Sequence, residues 1–293
     1  MKVEQIVDLF REESPRPSSE LTHTWAVFWA NFKIFLSYKT WVITETLSTV
    51  ASIAMYSFMG LQVDANRFFS LGYGDTTWLA FAIVGVATAN YLWMCISRIS
   101  HSLQHEVAEG TLEPIVSSMI KLRSYIIGQS IRGFLVSSYF MFGALLIGVF
   151  VLNVPMVLTV ETVFSFVVIL VMMIVSYAGI GITAAGIILV YKKGDPMTFL
   201  LASITEFLGG VLFPLNYLQG YPILSVMSRA MPYTYALDAA RRVLLTGATL
   251  ATPEVLGDLA ILLVFTFVFL PAGLRVFTWG MDRIRREGTV ATY

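Results

Sequence analysis

Six stretches of about twenty or more predominantly apolar residues run through this 293-residue chain. They lie at about Trp41–Leu61, Thr77–Ser97, Tyr125–Leu152, Thr162–Val190, Met197–Tyr217 and Val255–Phe277. A hydrocarbon core about 30 Å thick is crossed by roughly 20 helical residues rising about 1.5 Å each. The runs are apolar all round rather than alternating, which predicts helices and not barrel strands. Composition agrees. Only 13% of residues are charged and 57% are hydrophobic, with a mean hydropathy of +0.75. A soluble domain carries about 25% charged residues, so this chain lacks the polar surface to wet a globule. A cytosolic enzyme and a disordered chain are excluded. Net charge is +0, which leaves no global field favouring nucleic acid. The single Cys95 excludes an internal disulfide and a cysteine-rich metal site. The first forty residues hold acids and prolines but no early apolar run, so no cleaved signal peptide is expected. The expected fold class is an all-α integral membrane protein with six transmembrane helices.

Lysine and arginine counts near the span ends set the orientation. Fifteen basic residues fall on the side of both termini, among them Lys33, Lys39, Arg98, Arg132, Lys192 and Arg283. Four, Arg67, Arg229, Arg241 and Arg242, fall on the other. Both termini are therefore expected in the cytoplasm of a multi-pass protein of the cell membrane. The organisation reads as a flexible segment 1–20, an amphipathic helix 21–38, a membrane domain 39–280 and a tail 281–293.

Within 21–38, Trp25, Phe28, Trp29, Phe32, Phe35 and Leu36 recur at three- and four-residue steps. An aromatic helix beside a span is expected in the membrane interface, or else packed on a neighbouring span. The connection at about 98–124 is too long for a turn and carries mixed charges. Leu103, Val107 and Leu112 keep a loose apolar stripe, Gly110 interrupts it, and Pro114 marks a break. His101 and His105 share a helical face with Glu106 nearby, but the order is not a metalloprotease motif, and no metal site is expected. The segment 218–250 is cut into short pieces by Gly220, Pro222 and Pro232 while staying largely apolar. Irregular backbone at membrane depth survives only where protein or a watery cavity supplies hydrogen bonds. This segment is expected to re-enter the outer leaflet as a helical hairpin before the last span. Asp238 can pair with Arg241 or Arg242 along its second helix.

Two carboxylates fall inside the spans: Glu45 in the first and Glu206 in the fifth. Each is a site candidate because a buried carboxylate must be paired or protonated. Either also fits a structural role, Glu45 at the interface and Glu206 as a protonated acid bonded to a neighbour. The run Gly179-Ile-Gly-Ile-Thr-Ala-Ala-Gly186 reads as a close-packing helix face. No phosphate loop, serine elbow or dinucleotide fingerprint occurs, so ATP chemistry is not expected of this chain alone.

Glu106-Val-Ala-Glu109-Gly110-Thr111-Leu112-Glu113-Pro-Ile-Val resembles the cytosolic coupling segment of type-2 ATP-binding-cassette export permeases. Gly209-Gly-Val211-Leu-Phe213-Pro214-Leu215 is similar to that family's fifth span. Met231-Pro232-Tyr233-Thr-Tyr235-Ala-Leu-Asp238-Ala-Ala-Arg241 is similar to its re-entrant hairpin. With the N-terminal helix and the six-span layout, the resemblance covers nearly the whole chain. One departure is the absence of a proline in Ser117-Ser-Met-Ile-Lys121, near the start of the third span.

The resemblance implies a homodimer of permeases docked on two separate nucleotide-binding subunits. ATP and magnesium would sit on those partners, with no cofactor bound by this chain and no catalysis by it alone. Coupling would run through Gln104, His105, Glu106, Glu109, Gly110, Thr111, Leu112 and Glu113. A seam between the first and fifth spans would involve Glu45, Glu206, Phe207, Val211, Phe213 and Pro214. The hairpin would rest on Pro232, Tyr233, Tyr235, Asp238 and Arg241, and the interfacial helix on Trp25, Trp29 and Phe32, against membrane lipids. The function implied is export of a lipophilic, amphipathic or lipid-linked substrate. An ion-coupled carrier or channel using Glu45 and Glu206 is a second reading, and a non-transporting scaffold driven by an ATPase is a third.

Overall fold

The computed structural model describes residues 19–60, 76–108, 122–191, 195–215 and 220–287. Among them every regular element is a helix. In chain order these are α1 (Glu20–Ser37), α2 (Lys39–Gly60), α3 (Trp78–Ala108), α4 (Leu122–Phe150), α5 (Val160–Tyr191) and α6 (Asp195–Leu208). Then follow α7 (Pro222–Arg229), α8 (Pro232–Arg241), a π-helical turn (Arg242–Thr246) and α9 (Pro253–Glu287).

Local chemistry explains the boundaries. Ser19 caps α1 by accepting the Thr22 backbone N–H (3.3 Å). Pro222 and Pro232 each occupy the first position of a short helix, where a missing N–H costs nothing. The π-helical turn ends at Gly247, whose φ of 76° lies in the left-handed region.

Among the described residues three helices are long and apolar enough to cross a membrane by length and composition: Ile127–Phe150, Val160–Ile188 and Pro253–Arg283. Trp78–Trp93 and Phe199–Leu208 are shorter apolar helices. The 22-residue α2 is diluted by hydroxyl residues. Thr44, Thr46, Thr49 and Ser52 each donate to the carbonyl four residues back, so their polarity is satisfied inside the helix.

The core gathers α3, α5, α8 and the first half of α9, with Phe81, Val84, Phe166, Ile169, Met173, Leu237 and Leu262 fully buried. The close-packing reading of 179–186 holds. Gly179 abuts the Phe269–Leu270 backbone and faces Gly273, and seven residues on Gly186 abuts Phe277 and faces Gly280. Backbone-to-backbone approach at two levels joins α5 to α9.

Two boundaries differ from the sequence reading. The helix that carries the second apolar run does not end with it at Ser97: α3 continues unbroken through Arg98 to Ala108. No glycine or proline lies between Val86 and Ala108 to end it, and loss of hydrophobicity alone does not. The fifth run was expected to reach Tyr217, but α6 ends at Leu208. Gly209 and Gly210 turn the chain there, Gly210 with φ 70°.

Candidate functional site

The turn after α6 leaves backbone carbonyls of residues 210–212 without helical partners, and two side chains supply donors. Arg241 Nη1 donates to the Gly210 carbonyl (2.9 Å) and Nη2 to that of Val211 (2.6 Å). Nη2 also reaches the Phe81 carbonyl on α3 (3.2 Å), and the guanidinium carbon lies 3.2 Å from the Phe81 ring centroid. Trp78 Nε1 donates to the Leu212 carbonyl (3.3 Å). Arg241 is only 2% exposed, so these charge-assisted bonds form away from water, where they are strongest. Gly85 lets α3 approach the Val211 carbonyl, a space that any Cβ would occupy.

Tyr233 ties the same three elements together. Its hydroxyl donates to the Gly85 carbonyl (3.2 Å) and lies 3.0 Å from the Thr88 hydroxyl. Its backbone N–H donates to the Tyr177 hydroxyl on α5 (3.2 Å), and its ring packs on Gly209. Pro214 and Val211 are buried in this knot. The sequence left Asp238 a choice of two arginines. Arg242 takes it, with Nε 2.8 Å from Oδ2, while Arg241 turns into the core. Tyr235 sits half-buried on the rim, its hydroxyl donating to the Arg229 carbonyl (3.0 Å).

Glu206, on α6, borders a cavity of about 10 Å³ with Ala89, Leu92, Trp93, Ala202 and Tyr233. It is within electrostatic reach of Tyr56 on α2. Phe207 and Phe213 meet edge to face across the turn at 5.6 Å, and Phe207 is exposed. Glu45 is half-buried and lies eleven residues before Tyr56 on α2, about 16 Å along the axis. The two carboxylates therefore sit at different depths.

On α1, Val27 and Phe28 are buried while Trp25 (62% exposed) and Trp29 (45%) face outward in a stacked ladder that includes Phe32. The helix packs on α4, with Gly128 seating Thr24 and Val27. Gln129 Nε2 donates to Asn31 Oδ1 (3.2 Å) and to the Tyr125 hydroxyl (2.9 Å). Gln104, His105 and Glu106 ride on the last turns of α3, whereas Glu109, Gly110, Thr111, Leu112 and Glu113 lie outside the described residues. His101 is likewise on α3. Sequence reasoning passed over Asp258 at the start of α9. Its Oδ2 is buried without a hydrogen-bond partner among the described residues, beside Asp238 and Arg242.

Helices of membrane-crossing length, and a broken apolar helix whose loose carbonyls are met by protein donors, are the features of an integral membrane protein with irregular backbone at membrane depth. The chain belongs to the ABC-2 type transporter family, whose model matches residues 22–245, from α1 into the π-helical turn. It is accordingly a permease subunit of an ABC-type transporter. No curated protein shows significant similarity to it.

Proposed function

We propose that this chain is one of two identical permease subunits of an ATP-driven exporter for a lipophilic, amphipathic or lipid-linked substrate. The supporting observation is the pair of unburied apolar faces on α2 and α6. Leu47 (64%) and Phe58 (70%) on α2, and Phe199 (63%) and Phe207 (57%) on α6, stay exposed in the single chain. Two copies related by a twofold axis would cover such faces, with Glu206 beside the seam. An apolar path suits amphipathic cargo, since a hydrated ion finds no replacement ligands along it. The offset of about 16 Å along α2 between Glu45 and Tyr56, the residue within electrostatic reach of Glu206, speaks against a paired-carboxylate carrier.

In this reading the chain crosses the cell membrane six times, through α2, α3, α4, α5, α6 and α9, with both termini in the cytoplasm. α7 and α8 form a hairpin on the outer side, and α1 lies in the inner interface with Trp25 and Trp29 among headgroups. A separate nucleotide-binding subunit, carrying ATP and magnesium, docks on 104–113. The test is ATP-dependent movement of a fluorescent amphiphile in sealed vesicles holding both subunits, with Phe207→Cys cross-linking in a Cys95→Ser background. Cross-linked, transporting dimers are expected. ATP hydrolysis without movement would leave the scaffold reading, and movement driven by an ion gradient alone the carrier reading.

A further inference from the structure

A second feature lies where α1, α2 and α4 meet. A groove of about 670 Å³ opens between the C-terminal half of α1, the first turns of α2 and the middle of α4. That volume is within the range of about 300–1,000 Å³ typical of ligand pockets. Phe32, Phe35, Val42, Ile43, Leu135 and Tyr139 line it, and Lys39 is the one charged residue in the lining. The walls are preformed. Trp41 packs edge-on between Phe35 and Phe140, 5.8 Å from each, and the Asn31–Gln129–Tyr125 bonds pin α1 to α4. Outside this lining, one turn before Leu135 on α4, Arg132 has a buried Nε with no hydrogen-bond partner among the described residues. An apolar trough with positive charge and no acidic residue in its lining fits an amphiphile with an anionic head.

We propose that this groove binds an anionic phospholipid of the cytoplasmic leaflet, its acyl chain against Phe32, Ile43 and Leu135 and its phosphate on the Lys39 ammonium. The site rests on the topology proposed above, which sets Lys39 and Arg132 at the inner boundary. Basic groups there gain about 1 kcal/mol each from anionic headgroups, or about fivefold in occupancy. The acyl chain adds the apolar contact that a free phosphate lacks. A resident lipid here would brace α1 against α2 and α4.

The test is native mass spectrometry of the full chain, delipidated and then supplied with equimolar phosphatidylglycerol and phosphatidylcholine. Wild type is expected to retain phosphatidylglycerol preferentially. Lys39→Gln should lower that preference about fivefold, and Lys39→Arg should restore it. Ile43→Trp, at a position 59% exposed, should reduce retention of both lipids by filling the trough. An unchanged preference in Lys39→Gln, or unchanged retention in Ile43→Trp, would overturn the site. So would release of the lipid on ATP turnover by the partner-bound chain, which would mark it as cargo. A disulfide between two copies through Ile43→Cys would assign the groove to a second copy and overturn it as well. External labelling of Lys39→Cys in whole cells would overturn the topology instead, while the lipid ratios are read independently of sidedness.

Discussion

Arg241 shows how one side chain converts a sequence liability into a built structure. The glycines at 209 and 210 end α6 inside an apolar run, and the carbonyls freed there would each cost several kcal/mol unpaired in lipid. A guanidinium meets successive carbonyls because its donors form a fixed fork. Hydrogen bonds to charged groups contribute about 1.5–3 kcal/mol each, so Arg241→Met should lower stability by about 3 kcal/mol or more. Thermal unfolding of the purified chain in detergent checks this. Arg241→Lys, with a single compact ammonium, should recover less than half of the loss. A melting temperature unchanged in Arg241→Met would mean that the turn is held by something else. The sequence could not make this assignment. Arg241 and Arg242 stand three and four residues after Asp238, and local spacing permits either pair. The choice is set by carbonyls some thirty residues away, which no helical periodicity reports. Asp258 was hidden for the same reason: it follows Gly257 at the start of a long apolar run, and only the approach of α8 gives it neighbours.

At the scale of elements, the small-residue run in α5 was legible because glycine and alanine at close spacing mean backbone contact. Its partners, Gly273 and Gly280, repeat the seven-residue step of Gly179 and Gly186, and the structure sets the two pairs face to face. Gly179→Val should therefore separate α5 from α9 and abolish recovery of folded protein by size-exclusion chromatography. Gly143→Ala is the contrast: no atom lies within 4 Å of the added carbon, and removing an interior helical glycine should stabilise by about 0.5–1 kcal/mol. Equal tolerance at both sites would refute the seam. For α3 the sequence reading ends the span at Ser97 and sets a separate polar helix after it, whereas the two are continuous. It is one helix from Trp78, beside the Arg241 knot, to Ala108, within the segment 104–113 proposed above for coupling, 31 residues or about 46 Å. A rod of that length can carry displacement between its ends. Two glycines inserted after Ser97 should leave ATP hydrolysis by the assembled complex intact and cut substrate movement at least tenfold. Undiminished transport would remove α3 as the transmitting element.

For the whole molecule, the long all-apolar helices declared themselves, whereas α2 and α6 carry hydroxyls or stop short and gain their place only against other elements. Orientation is the property that the helices themselves do not encode. In the topology proposed above it rests on the bias of fifteen basic residues against four, and that bias would set the α7–α8 hairpin outside. α7 shows how the hairpin would sit. Ile223 (75% exposed) and Val226 (68%) form an apolar outer face, while Ser228 is buried and the exposed Arg229 ends the helix. Such a helix can rest in the headgroup layer with Arg229 in water. Arg229 is thus the position at which a polar reagent reports sidedness, and Ile223 would be shielded by lipid on either side. In a Cys95→Ser background, Arg229→Cys should react with an impermeant maleimide added to intact cells, and Lys33→Cys only after permeabilisation. The reverse pattern would invert every inside and outside assignment. It would leave the α3–α6–α8 knot intact, since those bonds are indifferent to which leaflet they face.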